Sequence, residues 1–476
     1  MSAIRAVSAS LALLLSATAP LVPATIPVTT ALDVDINDAS CALREAIVAA
    51  NDDTAYHGCP AGSGPDRIVF DLAPLPATIA LLGSLPPIDS QVLLRGPDSG
   101  AVEIDGQSVW TILDVSTNTP GVWFGVEDLM LVDGAGAGGG AVVIGEGTRA
   151  ELRRVRILGS TATVGGGAIW VAGTPAQPTS ALLEDCEIWG NTSSGGSGGG
   201  ALRILGPGAS VSIRRSLLAA NTAETFNGGA VAIQNADLAL DRVTFSGNSA
   251  DGSGGAIHVN ASSADATLTI VDSTIAFNTA NLDADASGDG GGLSVVPQGS
   301  FTATLVLRNS IVAANLDGGG TLDPDLFFST SAQIGWQSAG FNLIGSNAGA
   351  TALVGSGLPN VDGDYVGSAA SPLDPRLDNL NNWGGEVLAT HRPMLSPLSP
   401  AIDTGWCPDS TGDQRRFGDA GAGLRRVDIG AVPNGSGSDG CDMGAHERAG
   451  GAGADREIFR DGFEAGHTLR WSTEVL

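Results

Sequence analysis

The sequence contains no lysine; all 23 basic residues are arginine. That excludes a lysine Schiff base, a phosphate-loop lysine and a lysine general base. Arginine is outnumbered by 51 acidic residues, for a net charge of -28, so the basic footprint of a nucleic-acid-binding protein is missing. Aromatic residues are 5% of the chain and charged residues 16%, both low. No apolar run is long enough for a transmembrane helix. What is abundant is glycine, 68 of 476 residues, alongside 43% hydrophobic residues. Such a chain has apolar mass to bury, many sharp turns to make, and an acidic surface suited to solubility and compatible with calcium.

The N-terminus carries Arg5, an apolar run from Ala6 to Leu15, and Val22-Pro23-Ala24. This is the pattern of a secretory signal peptide, residues 1–24, cleaved near Ala24. Five cysteines suit an oxidising compartment. Proximity in sequence pairs Cys41 with Cys59 and Cys407 with Cys441, leaving Cys186 as a buried, inert thiol. A reactive Cys41 with His57 as its base is the weaker reading, because no third group orients the pair.

The middle of the chain repeats. A phrase Gly-Gly-Ala followed by alternating apolar residues begins at Gly139, Gly166, Gly199, Gly228 and Gly254, and degenerates at Gly291-Gly292-Leu293. A second phrase ends in asparagine at Asn191, Asn221, Asn248, Asn278 and Asn315. The copies align in columns. Leu152, Leu183, Ile213, Leu240, Ile270 and Leu307 form one; Ile157, Ile188, Leu218, Phe245, Ile275 and Val312 form another. Two more follow the glycines, from Val142/Ile144 through Ile257/Val259 to Ser294/Val296. The local period of two marks strands, and strands recurring at a near-fixed interval mean stacked coils about 4.8 Å apart, a single-stranded parallel β-helix.

Between the two apolar columns of the asparagine phrase the inward phase slips by one residue, which reads as a corner. Arg153, Glu184, Arg214 and Asp241 alternate in charge there, enough to stabilise register by roughly 0.2–1 kcal/mol per pair. The asparagines read as a structural ladder, bonding to turn backbone and to one another. Upstream, Ile68–Phe70, Thr78–Leu82, Val92–Gly96, Val102–Gly106 and Trp110–Leu113 look like the first coils. From Cys41 to Asn51, Leu43, Ile47 and Ala50 have helical spacing, which predicts a short helix capping the open end.

Phe245-Ser-Gly-Asn248 with the Gly-Gly-Ala phrases resembles the repeats of the polymorphic outer membrane proteins. That resemblance implies a right-handed β-helix displayed outside the cell, often as an adhesin. The chain departs from that family after residue 390, where no membrane β-barrel pattern follows. Cys41-Ala-Leu-Arg-Glu-Ala-Ile47 resembles the CSLREA domain of secreted bacterial β-helix proteins, with Ala42 in place of the usual serine. Phe341–Gly345, Asp374-Pro375, Ser399–Gly405, Asp413–Arg415 and Cys441–Glu447 resemble the choice-of-anchor Q domain. Ile458–Glu464 with Trp471 resembles a short tail of secreted proteobacterial proteins. The expected organisation is a signal peptide (1–24), an N-terminal cap (33–64), a β-helix (65–345), a disulfide-closed C-terminal module (346–448) and a tail (449–476).

Chemistry is less legible. The outward column beside the glycines reads Val143, Trp170, Arg203, Ala232, His258 and Val295. Trp170, Arg203 and His258 could hold a sugar, but no carboxylate shares the column, so binding is favoured over cleavage. Asp283, Asp285 and Asp289 resemble the opening of a calcium loop without its closing glutamate. Asp403, Asp413, Arg415, Asp428, Asp442, His446 and Glu447 form the densest polar cluster, read as a cross-linked structural module around the Cys407–Cys441 bridge. The sequence therefore predicts an exported surface or extracellular β-helix that binds a glycan or protein without catalytic residues. The alternative is a polysaccharide lyase or glycoside hydrolase of β-helix type; a purely structural surface protein is a third reading.

Overall fold

The computed structural model describes residues 23–446, apart from 98–100, 117–120, 197, 284–287, 320–323, 351–352, 354–358, 383–387, 407–412, 415–431, 433 and 436. Residues 1–22, which hold most of the expected signal peptide, and the expected tail 449–476 lie outside the described residues. Strands of two to six residues with alternating burial stack into four sheets. Sheet 1 has eleven strands, from Ala24–Val28 to Ile334–Ser338. Sheet 2 has eleven, from Ala77–Ala80 to Tyr365–Val366. Sheet 3 has seven two-residue strands, from Ala135–Gly136 to Leu316–Asp317, and sheet 4 has eight, from Leu113–Val115 to Leu326–Phe328. One coil runs through Arg149–Arg153 in sheet 1, Arg156–Leu158 in sheet 2, Thr161–Ala162 in sheet 3 and Ile169–Ala172 in sheet 4. It then re-enters sheet 1 at Thr179–Glu184, and every pairing within the four sheets is parallel. The chain is a parallel β-helix with one described helix, Leu43–Asp52.

The inward columns form the core. Leu152, Leu183, Ile213, Leu240, Ile270 and Leu307 are register partners in sheet 1, and all are buried. Ile157 to Val312 do the same in sheet 2. Each such side chain contributes roughly 1.5–3 kcal/mol by leaving water. The paired glycines serve two different needs. In three copies the first, Gly199, Gly228 or Gly254, has a φ of 86°, 75° or 73°. The second sits where coils touch: a Cβ on Gly200 would overlap the carbonyl oxygen of Gly229.

One register differs from the sequence alignment. Leu293 lies opposite Ile257 and Val295 opposite Val259, so Ser294, not Val295, faces outward beside His258. The cause is a third glycine. Gly290 takes the φ of 74° that Gly254 has, so the phrase is Gly290-Gly291-Gly292, with Gly292 in the place of alanine.

The corner between sheets 1 and 2 is a residue of positive φ, and it is not glycine. Arg154, Asp185, Arg215, Arg242, Asp272 and Asn309 all adopt φ between 43° and 58° there. Beyond the next strand the asparagine ladder runs along the axis. Asn191 donates its Nδ2 to Asn221 Oδ1 at 3.0 Å, Asn221 to Asn248 at 2.9 Å, Asn248 to Asn278 at 2.8 Å and Asn278 to Asn315 at 2.9 Å. The same Oδ1 atoms accept the backbone N–H of the preceding asparagine. The ladder ends on a carboxylate: Asn315 donates N–H and Nδ2 to Asp325 Oδ1 at 3.1 and 3.0 Å. Burial pushes Asp325 up to about 7, against the pull of the bonds from Asn315 and Ser346. A second chain, from Ser273 through Ser310 and Asn342, ends in the same way on Asp364.

The helix Leu43–Asp52 buries Leu43, Ala46, Ile47 and Ala50 in the same core cluster as Ile26 and Ile68. Cys41 is bonded to Cys59. Arg44 pairs with Asp33 at 2.7 and 2.6 Å, and buried Glu45 accepts the N–H groups of Ala42 and Ile36, each at 2.9 Å. Ala42 is the N-cap and has no side-chain acceptor, so only half of the reciprocal cap exists. The strand Ala24–Val28 pairs with Asp66–Phe70, so this cap is inserted between the first two rungs of the solenoid.

The C-terminal module lies alongside the solenoid. His391 Nε2 is 2.8 Å from Ser246 Oγ, Thr244 Oγ1 donates to Gln414 Oε1 at 2.6 Å, and Ala445 N–H donates to Thr274 Oγ1 at 3.0 Å. Leu388 packs on Leu217 and Ala219, and Met443 on Ile311. Corner residue Asn309 accepts the N–H of Trp406 at 3.1 Å. The outer face of sheet 2 is thereby covered from Leu217–Ala219 to Ile311–Val312.

Two outcomes follow for stability. Asn248→Ala leaves the N–H and Nδ2 of Asn221 buried without their acceptor, and should lower unfolding free energy by about 2–4 kcal/mol in urea titration. A loss below roughly 0.5 kcal/mol would show that the ladder is incidental. The second concerns Asp325, whose folded pKa of about 7 exceeds an unfolded value near 3.9. Its contribution is fully present below about pH 4 and is lost as pH rises through 7, by up to about 4 kcal/mol. Asp325→Asn should remove that part of the pH slope, read as the difference between wild-type and variant urea midpoints from pH 4 to 8. Parallel curves would contradict it.

Candidate binding faces

Sheet 4 carries the expected column. Trp170 is the register partner of Arg203, Ala232 lies between Arg203 and His258, and Ser294 follows His258. The column points away from the core, yet Arg203 and His258 are each only 6% exposed. Burial lowers Arg203 to about 10. Burial, and then the Arg203 charge, lower His258 to about 4, so its ring is neutral at pH 7 with Nδ1 3.2 Å from Ser294 Oγ. Arg203 bonds to Gln234. Trp170 is half-buried, its ring sits where a Cβ on Gly138 or Gly165 would fall, and its Nε1 is buried without a partner among the described residues. An open sugar platform is therefore not formed at Arg203 and His258.

The C-terminal cluster is also closed. Asp403, Asp413 and Asp442 are 0% exposed and His446 is 1% exposed. Asp442 Oδ1 accepts the N–H of Asp403 at 2.8 Å, and Thr390 Oγ1 is 2.8 Å from His446 Nδ1. These bonds hold the module together. Arg415, Asp428, Glu447 and Cys407 lie outside the described residues, while Cys441 is disulfide-bonded. Cys186 is a buried free thiol that burial pushes up to about 12, which leaves it unreactive.

Asp283 is exposed and Asp289 half-buried, with the Asp289 N–H bonded to Ser253 Oγ at 3.0 Å; Asp285 lies outside the described residues. The described residues bring three metal-type ligands together elsewhere, at the cap. His57 Nδ1 is 3.0 Å from Glu45 Oε1 and 3.3 Å from Asp35 Oδ1. A ring N–H shared by two carboxylates accounts for this geometry, because both Glu45 oxygens are already held by backbone donors.

Sheet 1 differs from the other two long sheets. Along six successive strands, from Arg149–Arg153 to Ala303–Arg308, every outward residue is exposed or half-buried. Two adjoining concavities, about 300 and about 310 Å³, lie on this face and share Ser212 and Arg214. Their rim carries the corner charges, which alternate coil by coil in pairs: Glu127-Asp128, Arg153-Arg154, Glu184-Asp185, Arg214-Arg215. Arg154 binds Asp128 at 2.6 Å; Arg215 binds Asp185 at 2.9 Å and Glu184 at 2.7 Å. Arg153 also binds Glu184. The column Arg153, Glu184, Arg214, Asp241 is thus in register, but Glu184 is taken by Arg153 and Arg215 rather than by Arg214. In the next coil Asp241 is held by its own neighbour Arg242, with both contacts at 3.0 Å. Sequence reading found one of these charge columns and missed its twin, which the doubled acidic and basic pairs announce.

No helix among the described residues is long and apolar enough to cross a membrane. No curated protein and no solved structure matches this chain. Residues 242–260 match the Chlamydia polymorphic membrane protein repeat, so that one coil, around Phe245 and Asn248, is similar to a repeat of that family.

Proposed function

We propose that this chain is an exported β-helix acting at or outside the cell surface as a binding protein, engaging a glycan or protein without catalysis. The observation that carries this reading is the open outer face of sheet 1, six strands long and grooved, on a molecule whose sheet 2 is covered from Leu217–Ala219 to Ile311–Val312 by C-terminal residues. A rigid, regular face of this kind presents side chains at fixed spacing, as extended recognition surfaces do. The match to a membrane protein repeat supports surface display, and the sequence of residues 1–24 supports export. The lyase or hydrolase reading needs carboxylates that reach substrate. Of the carboxylates lining the two concavities, Glu151 and Asp241 are engaged by arginines and Asp272 is buried; Asp403, Asp413 and Asp442 in the C-terminal cluster are buried as well.

The test is a panel of polysaccharides and extracellular matrix proteins offered to the protein lacking residues 1–24, with and without calcium. Both retention and release of reducing or unsaturated ends are read. Retention without release is the expected result. Release of sugar products would overturn the non-catalytic reading, and silence across the panel would leave a structural protein.

A further inference from the structure

Within that reading, and resting on it, the sheet 1 groove has a chemical preference. Arg153, Arg154 and Arg215 each find a carboxylate in a neighbouring coil, because acidic and basic pairs alternate there. The alternation breaks at Asp241-Arg242, where opposite charges sit in one coil and satisfy each other. Arg214, whose register partners are Glu184 and Asp241, is left with no side-chain hydrogen bond or ion pair among the described residues. Three strands along, Arg308 has Val271 as its register partner and is likewise without a side-chain partner. Arg214 is exposed and Arg308 half-buried, and both line the same groove.

An unpaired guanidinium is well hydrated when free, but it is also the side chain best shaped to take a carboxylate or sulfate through two parallel N–H bonds. Arg214 and Arg308 are three rungs apart, about 14 Å along the axis. A single small anion cannot bridge them, whereas a chain with repeating acidic groups can. Between them lie Ser212, Ala239, Thr269 and Val271, short side chains with two hydroxyls and no deep apolar pocket, while the two carboxylates of the lining are withdrawn, Asp241 onto Arg242 and Asp272 by burial. That floor suits the hydroxyl-rich face of a sugar chain better than a peptide, whose binding energy concentrates in buried apolar or aromatic anchors. Nucleic acid is disfavoured because the groove lining holds no aromatic side chain on which a base could stack. We infer that the groove spanning Arg214 and Arg308 on the outer face of sheet 1 binds a linear acidic polysaccharide, one bearing repeated carboxylate or sulfate groups.

The experiment uses the protein lacking residues 1–24, with Arg214→Gln, Arg308→Gln and the double variant. Fluorescently labelled polygalacturonate, dextran sulfate and neutral dextran serve as probes in polarisation titrations. Equal thermal midpoints check that the variants fold, which their solvent-facing positions favour. Polygalacturonate or dextran sulfate should bind and neutral dextran should not. Each single variant should weaken binding by roughly tenfold, the cost of one charge-assisted contact, and the double variant by more. Which of the two acidic probes responds distinguishes carboxylate from sulfate. Wild-type affinity in the double variant would overturn the inference. So would equal binding of neutral dextran, which would leave the glycan-binding reading standing. If neither acidic probe binds, the inference falls; the panel above then decides whether the binding reading falls with it.

Discussion

Everything in this molecule depends on one coil finding the next in exact register, and the asparagine ladder is where a slip costs most. A leucine displaced by two residues along its strand still meets an apolar side chain. A buried amide displaced by two residues loses an acceptor for its Nδ2, a donor to its Oδ1 and the turn geometry that brought it there. The ladder therefore converts a forgiving hydrophobic stack into a single solution. It also explains why coils of unequal length are tolerated. The 27 residues from Asn221 to Asn248 and the 37 from Asn278 to Asn315 differ in their loops, while the hydrogen bond between them does not change.

A solenoid built this way has three long outer faces and must dispose of each. In sheet 2 the strands from Leu217–Ala219 to Ile311–Val312 are covered by Leu388, His391, Gln414, Met443 and Ala445, pinned through Ser246, Thr244 and Thr274. Sheet 4 places Arg203, Ala232, His258 and Ser294 outward and buries them. Sheet 1 is left to solvent, and its rim is organised by charge. Where acidic and basic coils alternate, the arginines are consumed internally. Where Asp241 and Arg242 fall in one coil, Arg214 is released to the groove, and where Val271 takes the corner position, Arg308 is. The break in the pattern, more than the pattern itself, is what gives this face a chemistry.

The inward columns were legible in the sequence because each is repeated five or six times with period two, and because the glycines that start each strand have no substitute. The degenerate copy misled by one residue, since Gly290 rather than Gly291 opens it. The asparagine column was legible as far as Asn315. Its terminus was not, because Asp325 follows only ten residues later and is a different residue type. The faces were not legible at all. Alternation shows that Arg203 and His258 point outward, and nothing local shows that they are covered. The contact that covers Ser246 comes from His391, 145 residues away. Arg214 was visible as a member of an alternating column. Its freedom was not, because that depends on Arg215 and Arg242 reaching the carboxylates first.

The most direct measurement is thiol labelling of single cysteines placed on the two faces, Ser212→Cys on sheet 1 and Ser246→Cys on sheet 2, in folded protein with Cys186 as the internal buried standard. Cys186 should stay silent, position 212 should react like a free peptide thiol, and position 246 should react on the order of a hundredfold more slowly. Equal rates at 212 and 246 would contradict the assignment of sheet 1 as the open face, and with it the choice of that groove as the place where this protein meets its ligand.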